Sequence, residues 1–201
     1  CIRLWDAKRQ RSRPPHLDPE IRRVDLCGAL LQLYDWGEPP DGDFPWLEPP
    51  RPESIDAAKT VLRKLGAVEQ ETLTALGKRM AKLPISPRLA RMMLEAVEWD
   101  CVSQIALVAA MISERDPFLR NTRKNAGARR WNCDVTQRYF ALLDYLEAGK
   151  HESPFGEVHR GAARSIVRVA EQLSAQLGLD WSLPARTEVT EEHVQRALLS
   201  A

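Results

Sequence analysis

Between residues 115 and 130 the chain gathers Arg115, Arg120, Arg123, Lys124, Arg129 and Arg130 around a single acid, Asp116, and interleaves them with Asn121, Asn125 and Gly127, with Trp131 just beyond. Guanidinium groups hold phosphate through paired hydrogen bonds, amides add neutral donors, and glycine lets a backbone come close to a ligand. A plain solvated loop between two helices accounts for the same charges, so both readings stand at this point. A second cationic set, Arg160, Arg164 and Arg168, repeats every four residues and therefore lies along one side of a helix. Such a ladder can follow a phosphate backbone, or it can be a solvent face held by Glu157–Arg160 and Arg168–Glu171 pairs. Arg88 and Arg91 form a further basic pair of the same ambiguous kind.

Self-contained catalysis has no comparable signal. Gly77-Lys78 and Gly149-Lys150 lack the upstream glycine and the following hydroxyl of a phosphate loop. A nucleophile elbow, a zinc-protease helix and a dinucleotide-binding turn are likewise missing from the sequence. The cysteines at 1, 27, 101 and 133 make no close pair and no cluster with histidine, which argues against zinc and for reduced thiols in a cytoplasmic setting. The expectation is a binding module with no catalytic residue, no metal and no cofactor of its own.

The elements that must carry these residues come from 201 residues, 44% hydrophobic and 28% charged, with 29 Lys+Arg against 28 Asp+Glu. That is enough chain for a real core, and the longest apolar stretch, Ile105 to Ile112, is too short to cross a bilayer. Charge is sorted by segment. Residues 1–23 hold seven bases against three acids, and residues 30–56 hold seven acids against Arg51 alone. Cys1-Ile2-Arg3-Leu4-Trp5 lacks an initiator Met and reads as a strand, as in a piece of a longer protein.

Asp18-Pro19-Glu20 reads as a helix start, with Ile21, Val24, Leu31 and Tyr34 keeping helical spacing up to Gly37. An acidic, Pro-rich loop with Phe44, Trp46 and Leu47 follows. A second helix covers 53–65, a short β-type hairpin covers 67–74, and Thr74 caps a third helix carrying Leu76, Met80 and Leu83. Helix, helix, hairpin, helix is the outline of a winged-helix module. Beyond Pro84 the sequence shows no strands. Helices begin at Ser86-Pro87, Asp100, Asp134 (a capping-box pattern to Gln137), Pro154 and Thr190, and the 154 helix runs to Leu177. The expected fold is mainly α, with a winged-helix module over 18–83 and an all-helical bundle over 84–201.

An ordered series of short words carries a family likeness. Pro19-Glu20-Ile21, Asp25-Leu26, Leu30-Leu31-Gln32-Leu33 and Trp36-Gly37 resemble the winged-helix opening of DEAH-box helicases. Phe44-Pro45-Trp46-Leu47-Glu48-Pro49-Pro50, Leu65-Gly66-Ala67, Leu76-Gly77, Met80-Ala81 and Leu83-Pro84 continue it. Pro87-Arg88-Leu89-Ala90-Arg91-Met92-Met93-Leu94 resembles the start of the helicase-associated, or ratchet, domain. The Trp-Gly and Arg-Leu-Ala words are most similar to the bacterial HrpB-type branch. After Arg120 the ratchet half departs from the eukaryotic pattern.

The resemblance implies a parent ATP-dependent RNA helicase using ATP and Mg2+ on RecA-like domains. Residues 1–17 would be the end of the second RecA-like domain and a linker, and the rest would form one wall of a single-stranded RNA channel. Its implied partners are single-stranded RNA, with DNA as a variant, the RecA-like domains of the same chain, and a protein activator; no membrane is expected. The candidate nucleic-acid contacts are Arg88, Arg120, Arg123, Lys124, Arg129 and Arg130. Arg120 ranks first because it coincides with an Arg after the family's buried ratchet helix. The acidic 38–53 loop supports another class, a protein-docking module that regulates the motor without touching nucleic acid. A DNA-binding transcription factor would need Lys78, Arg79 and Lys82 on a recognition helix, beside which the acidic loop is unfavourable.

Overall fold

The computed structural model describes residues 2, 4–13, 16–38, 40, 44–119, 133–185 and 191–201. A short helix α1 (Ala7–Ser12) begins at Asp6, whose side chain accepts from the Arg9 N–H at 2.7 Å. Among residues 2, 4 and 5 there is no strand.

The winged module follows. Its first helix, α2 (Cys27–Trp36), starts later than the sequence pattern implies, because the segment after Asp18 makes only a single 3-10 turn over Glu20–Arg22. The physical reason is local. The Asp25 carboxylate takes the Cys27 N–H at 2.8 Å, a local turn that offers the backbone an alternative to a continuous helix and satisfies the first N–H of α2. Helix α2 then buries Leu30, Leu31 and Leu33 and ends at Gly37 in the left-handed region, φ 80°.

Helix α3 (Pro52–Lys64) and the antiparallel pair β1 (Val68–Glu69) and β2 (Thr72–Leu73) come next, then α4 (Ala75–Ala81). Thr74 Oγ1 accepts from the Gly77 N–H at 2.9 Å and donates to the Gly66 carbonyl at 2.7 Å, which joins the hairpin to α4. A Cβ on Gly77 would stand 2.1 Å from the Ala67 carbonyl oxygen, so only glycine permits this approach.

The second half is built on α5 (Pro87–Glu98) and α6 (Val102–Ser113). Helix α6 is apolar all round and fully enclosed from Ile105 to Ala110, with α5, α7 (Asp134–Ala148), α8 (Arg160–Gln176) and α9 (Glu191–Leu199) packed about it. The buried residues of both halves form one continuous core from Leu26 to Ala197.

The half beyond Pro84 also contains a small antiparallel sheet, which corrects the all-helical expectation. Strand β3 (Phe118–Leu119) pairs with β5 (Gly156–Val158), and β5 with β4 (Glu152–Ser153). The long helix expected from Pro154 is therefore a turn over 154–155, a strand over Gly156–Val158 and a helix only from Arg160. Val158 and Ala162 have helical spacing, but Val158 sits opposite Phe118 in the ladder, and Ser153 folds the turn by donating to the Gly156 carbonyl at 2.7 Å. His159 then caps α8, its Nδ1 accepting from the Ala162 N–H at 3.1 Å.

Candidate nucleic-acid interface

The β4–β5 hairpin turns the chain back from α7 to α8 and leaves a groove of about 610 Å³ between them. Gly149 ends α7 in the left-handed region, φ 67°, which carries the chain round to His151. Tyr145 on the last turns of α7 meets the His151 ring edge-on, centroids 5.2 Å apart at 66°. From the other side α8 contributes Arg160, Arg164 and Arg168 to the lining, and Leu146, Ala163 and Val167 form the floor.

The three arginines are exposed and make no ion pair with a described residue, so the expected Glu157–Arg160 and Arg168–Glu171 pairs do not form. Arg160 instead places Nη2 3.4 Å from His151 Nε2. Arg160 is also the first residue of α8, a helix with no acid in its first turn. A cation there opposes the positive end of the helix dipole, which concentrates positive potential at this end of the groove.

A second groove of about 580 Å³ shares His151 and Arg160 and extends to Leu119, Glu157, His159 and Gly161. Leu119, on the edge of this groove, immediately precedes Arg120 in sequence. Arg120, Arg123, Lys124, Arg129 and Arg130 themselves lie outside the described residues. Arg88 is described, and it does not join the groove. It is exposed at the start of α5, with Nη1 3.3 Å from the main-chain oxygen of Ala201.

The two ends of the basic segment are tied together. Arg138 on α7 donates to Asp116 at 2.8 Å and to Asp134 at 2.9 Å, and its guanidinium lies 4.9 Å from the Phe155 ring centroid. Burial alone would lower the Arg138 pKa, but the two carboxylates hold it above the usual arginine range.

The sharpest electrostatic centre lies in the winged half. Glu71, at φ 59° in the hairpin turn, accepts from the Tyr34 hydroxyl at 2.7 Å and pairs with Arg63 and, at 3.1 Å, with the buried Lys59. Led by the Tyr34 hydrogen bond, these partners pull its carboxyl down to about 2. The motif is structural: it fixes the hairpin to α2 and α3. Burial pushes the Cys27 thiol up to about 12 and that of Cys101 to about 11, so neither is a nucleophile. Among the described residues no group of three or more His, Cys, Asp or Glu could hold a metal ion, and no helix is long and apolar enough to cross a membrane. The α7–α8 groove and the Glu71 centre were not among the sequence candidates, although the four-residue spacing of the arginines was visible.

The winged module joined to a mainly helical bundle falls in the helicase-associated class of domains by its family matches. Residues 60–85 match the family described as "Helicase associated domain (HA2), winged-helix", and residues 86–165 that described as "Helicase associated domain (HA2), ratchet-like". An ATP-dependent RNA helicase HrpA homolog of Haemophilus influenzae is 30% identical over 223 aligned positions, covering 100% of this chain and 17% of the relative. ATP-dependent RNA helicase HrpB of Escherichia coli is 39% identical over 129 residues, covering 64% of this chain and 16% of the relative. The crystal structure of the E. coli DExH-box NTPase HrpB superposes with a TM-score of 0.64 at 25% identity, over 97% of this chain and 20% of that one. The chain belongs to the DEAH-box helicases and corresponds to their C-terminal helicase-associated region. It spans only 16–20% of the length of these relatives.

Proposed function

We propose that this chain forms one wall of a single-stranded RNA path in an ATP-dependent RNA helicase and docks on the RecA-like motor domains of the same protein. One observation carries the reading: Arg160, Arg164 and Arg168 line a groove on one face of α8 and make no ion pair among the described residues. Guanidinium groups left to solvent in a row match a phosphate backbone, and the relatives are named as ATP-dependent RNA helicases. Arg120, Arg123, Lys124, Arg129 and Arg130, which follow Leu119 in sequence, are proposed as further phosphate contacts, and Arg88 as a separate one on α5. Contacts of this kind accept DNA as well as RNA.

ATP and Mg2+ belong to the motor domains in this reading. No phosphate loop exists in this sequence, so no nucleotide step is assigned to its residues. Docking on the motor uses the winged half, where Trp36 and Leu47 are 68% and 100% exposed, together with Leu17 just before it, 79% exposed. Those side chains also favour the second reading, a protein-docking module alone, with an activator protein as a further occupant. The free thiols of Cys27, Cys101 and Cys133 fit the cytoplasm as its compartment.

Anisotropy of a fluorescent oligouridylate at two salt concentrations tests the reading. Three phosphate contacts give a slope of roughly −2 in log K against log[salt], from about 0.7 per contact for single strands. Binding without salt dependence, or none at low salt, contradicts an RNA path and leaves docking.

A further inference from the structure

Phosphate contact alone leaves much of the α7–α8 groove unused. We infer that it is a nucleotide subsite, in which one base stacks on Tyr145 while Arg160 and Arg164 hold the neighbouring phosphates. The inference rests on the RNA reading above and adds a base to it.

The lining is divided as a nucleotide would require. Leu146, Ala163 and Val167 give an apolar floor that a bare anion has no use for. Tyr145 is half-buried against the core, so its ring is held, yet its hydroxyl makes no hydrogen bond to a described residue. His151 sets the tilt of that ring at 66° and lies 3.4 Å from Arg160, which puts aromatic and cation side by side. Arg160 and Arg164 are four residues apart, about 6 Å along the helix axis. Glu171 lines the groove beyond Arg168 and weakens the pull on an anion at that end, so the phosphates flanking the stacked base belong at the Arg160–Arg164 end, beside the aromatic pair, and Arg168 meets the next phosphate along the row.

Arg160 strengthens the assignment. As the first residue of α8 it works against the helix dipole and gains no carboxylate in return. A residue that breaks a local rule without a local compensation fits a ligand of opposite charge. A volume of about 610 Å³ accommodates a nucleotide, since small-molecule sites run from roughly 300 to 1,000 Å³. Stacking on a single ring tolerates any base, which agrees with sequence-independent guiding.

The test uses the whole 201-residue chain, oligouridylate, an abasic ribose-phosphate oligomer of the same length, and a polyglutamate peptide. Tyr145→Leu weakens oligouridylate binding about ten-fold and leaves the abasic oligomer unchanged. Tyr145→Phe retains wild-type binding, and Arg164→Gln weakens both nucleic-acid ligands. A 2-aminopurine base placed in the oligomer is quenched on binding to the wild-type chain, which keeps the test independent of how the variants fold. Absence of quenching, or equal losses for both oligomers with Tyr145→Leu, overturns the base subsite while leaving the RNA reading intact. An Arg164→Gln chain that binds both oligomers like wild type overturns both. Polyglutamate bound as tightly as oligouridylate, with the same Tyr145 dependence, makes the groove a peptide site and overturns the proposal.

Discussion

Arg138 donates through Nη1 to the Asp116 carboxylate at 2.8 Å, and this bond joins the chain just before β3 to the first helix beyond the basic segment. Its second bond, to Asp134, and its contact with the Phe155 ring make one guanidinium the fastening for both ends of residues 117–133. The same guanidinium therefore links the β3 edge, the start of α7 and the β4–β5 hairpin beside the α8 groove.

Replacing Arg138 with Met keeps most of the packing on Phe155 and removes both charge-assisted bonds. Because the partners are partly solvated, the expected loss is about 1–2 kcal/mol. Urea unfolding of wild type and variant reads it directly, and an unchanged midpoint would show that the fastening is not stabilising.

Gly77→Ala forces a methyl group to within 2.1 Å of the Ala67 carbonyl oxygen, and backbone on both sides must move. Overpacking of this kind costs about 1–3 kcal/mol, and the rigid obstacle places this site at the upper end. Thermal unfolding checks it, with Gly66→Ala unsuitable as a control because its φ is +71°. Ala75→Gly at the exposed start of α4 serves instead, with a loss nearer 1 kcal/mol or below.

Glu71 makes stability depend on pH in one direction. Its folded-state pKa lies below the ordinary glutamate value, at about 2, so the unfolded chain binds the proton more readily. Its contribution is complete above the ordinary glutamate range and is lost as pH falls from there towards about 2. In Glu71→Gln this part of the acid dependence disappears. Unfolding free energies of both proteins measured from pH 6 down to about pH 3 should converge, and parallel curves would rule out Glu71 as the source.

Much of the fold is written in local patterns. Thr74, Gly37 and the Pro87 start sit where cap and breaker chemistry places them, and the uninterrupted apolar run of Ile105–Ile112 identifies the central helix. The small sheet was not legible because strands of two or three residues have no period to read, and Val158 satisfies helical spacing by coincidence. Helix α2 begins later than its spacing implies because Asp25, which looks like part of a helical stretch, instead accepts the Cys27 N–H in a turn before the helix. For the site, the spacing of Arg160, Arg164 and Arg168 was visible, but only the three-dimensional arrangement shows that the neighbouring acids do not pair with them. Tyr145 and His151 become partners through a tight cap at Gly149, a relationship that no spacing rule announces.

The central claim, that the α8 arginine row takes the phosphates of single-stranded RNA, is tested most directly by comparing salt slopes. Oligouridylate binding is measured across a salt series for the wild-type chain and for Arg160→Gln/Arg164→Gln/Arg168→Gln. Losing three contacts flattens the slope of log K against log[salt] by about 2. A triple variant that folds and keeps the wild-type slope would contradict the account.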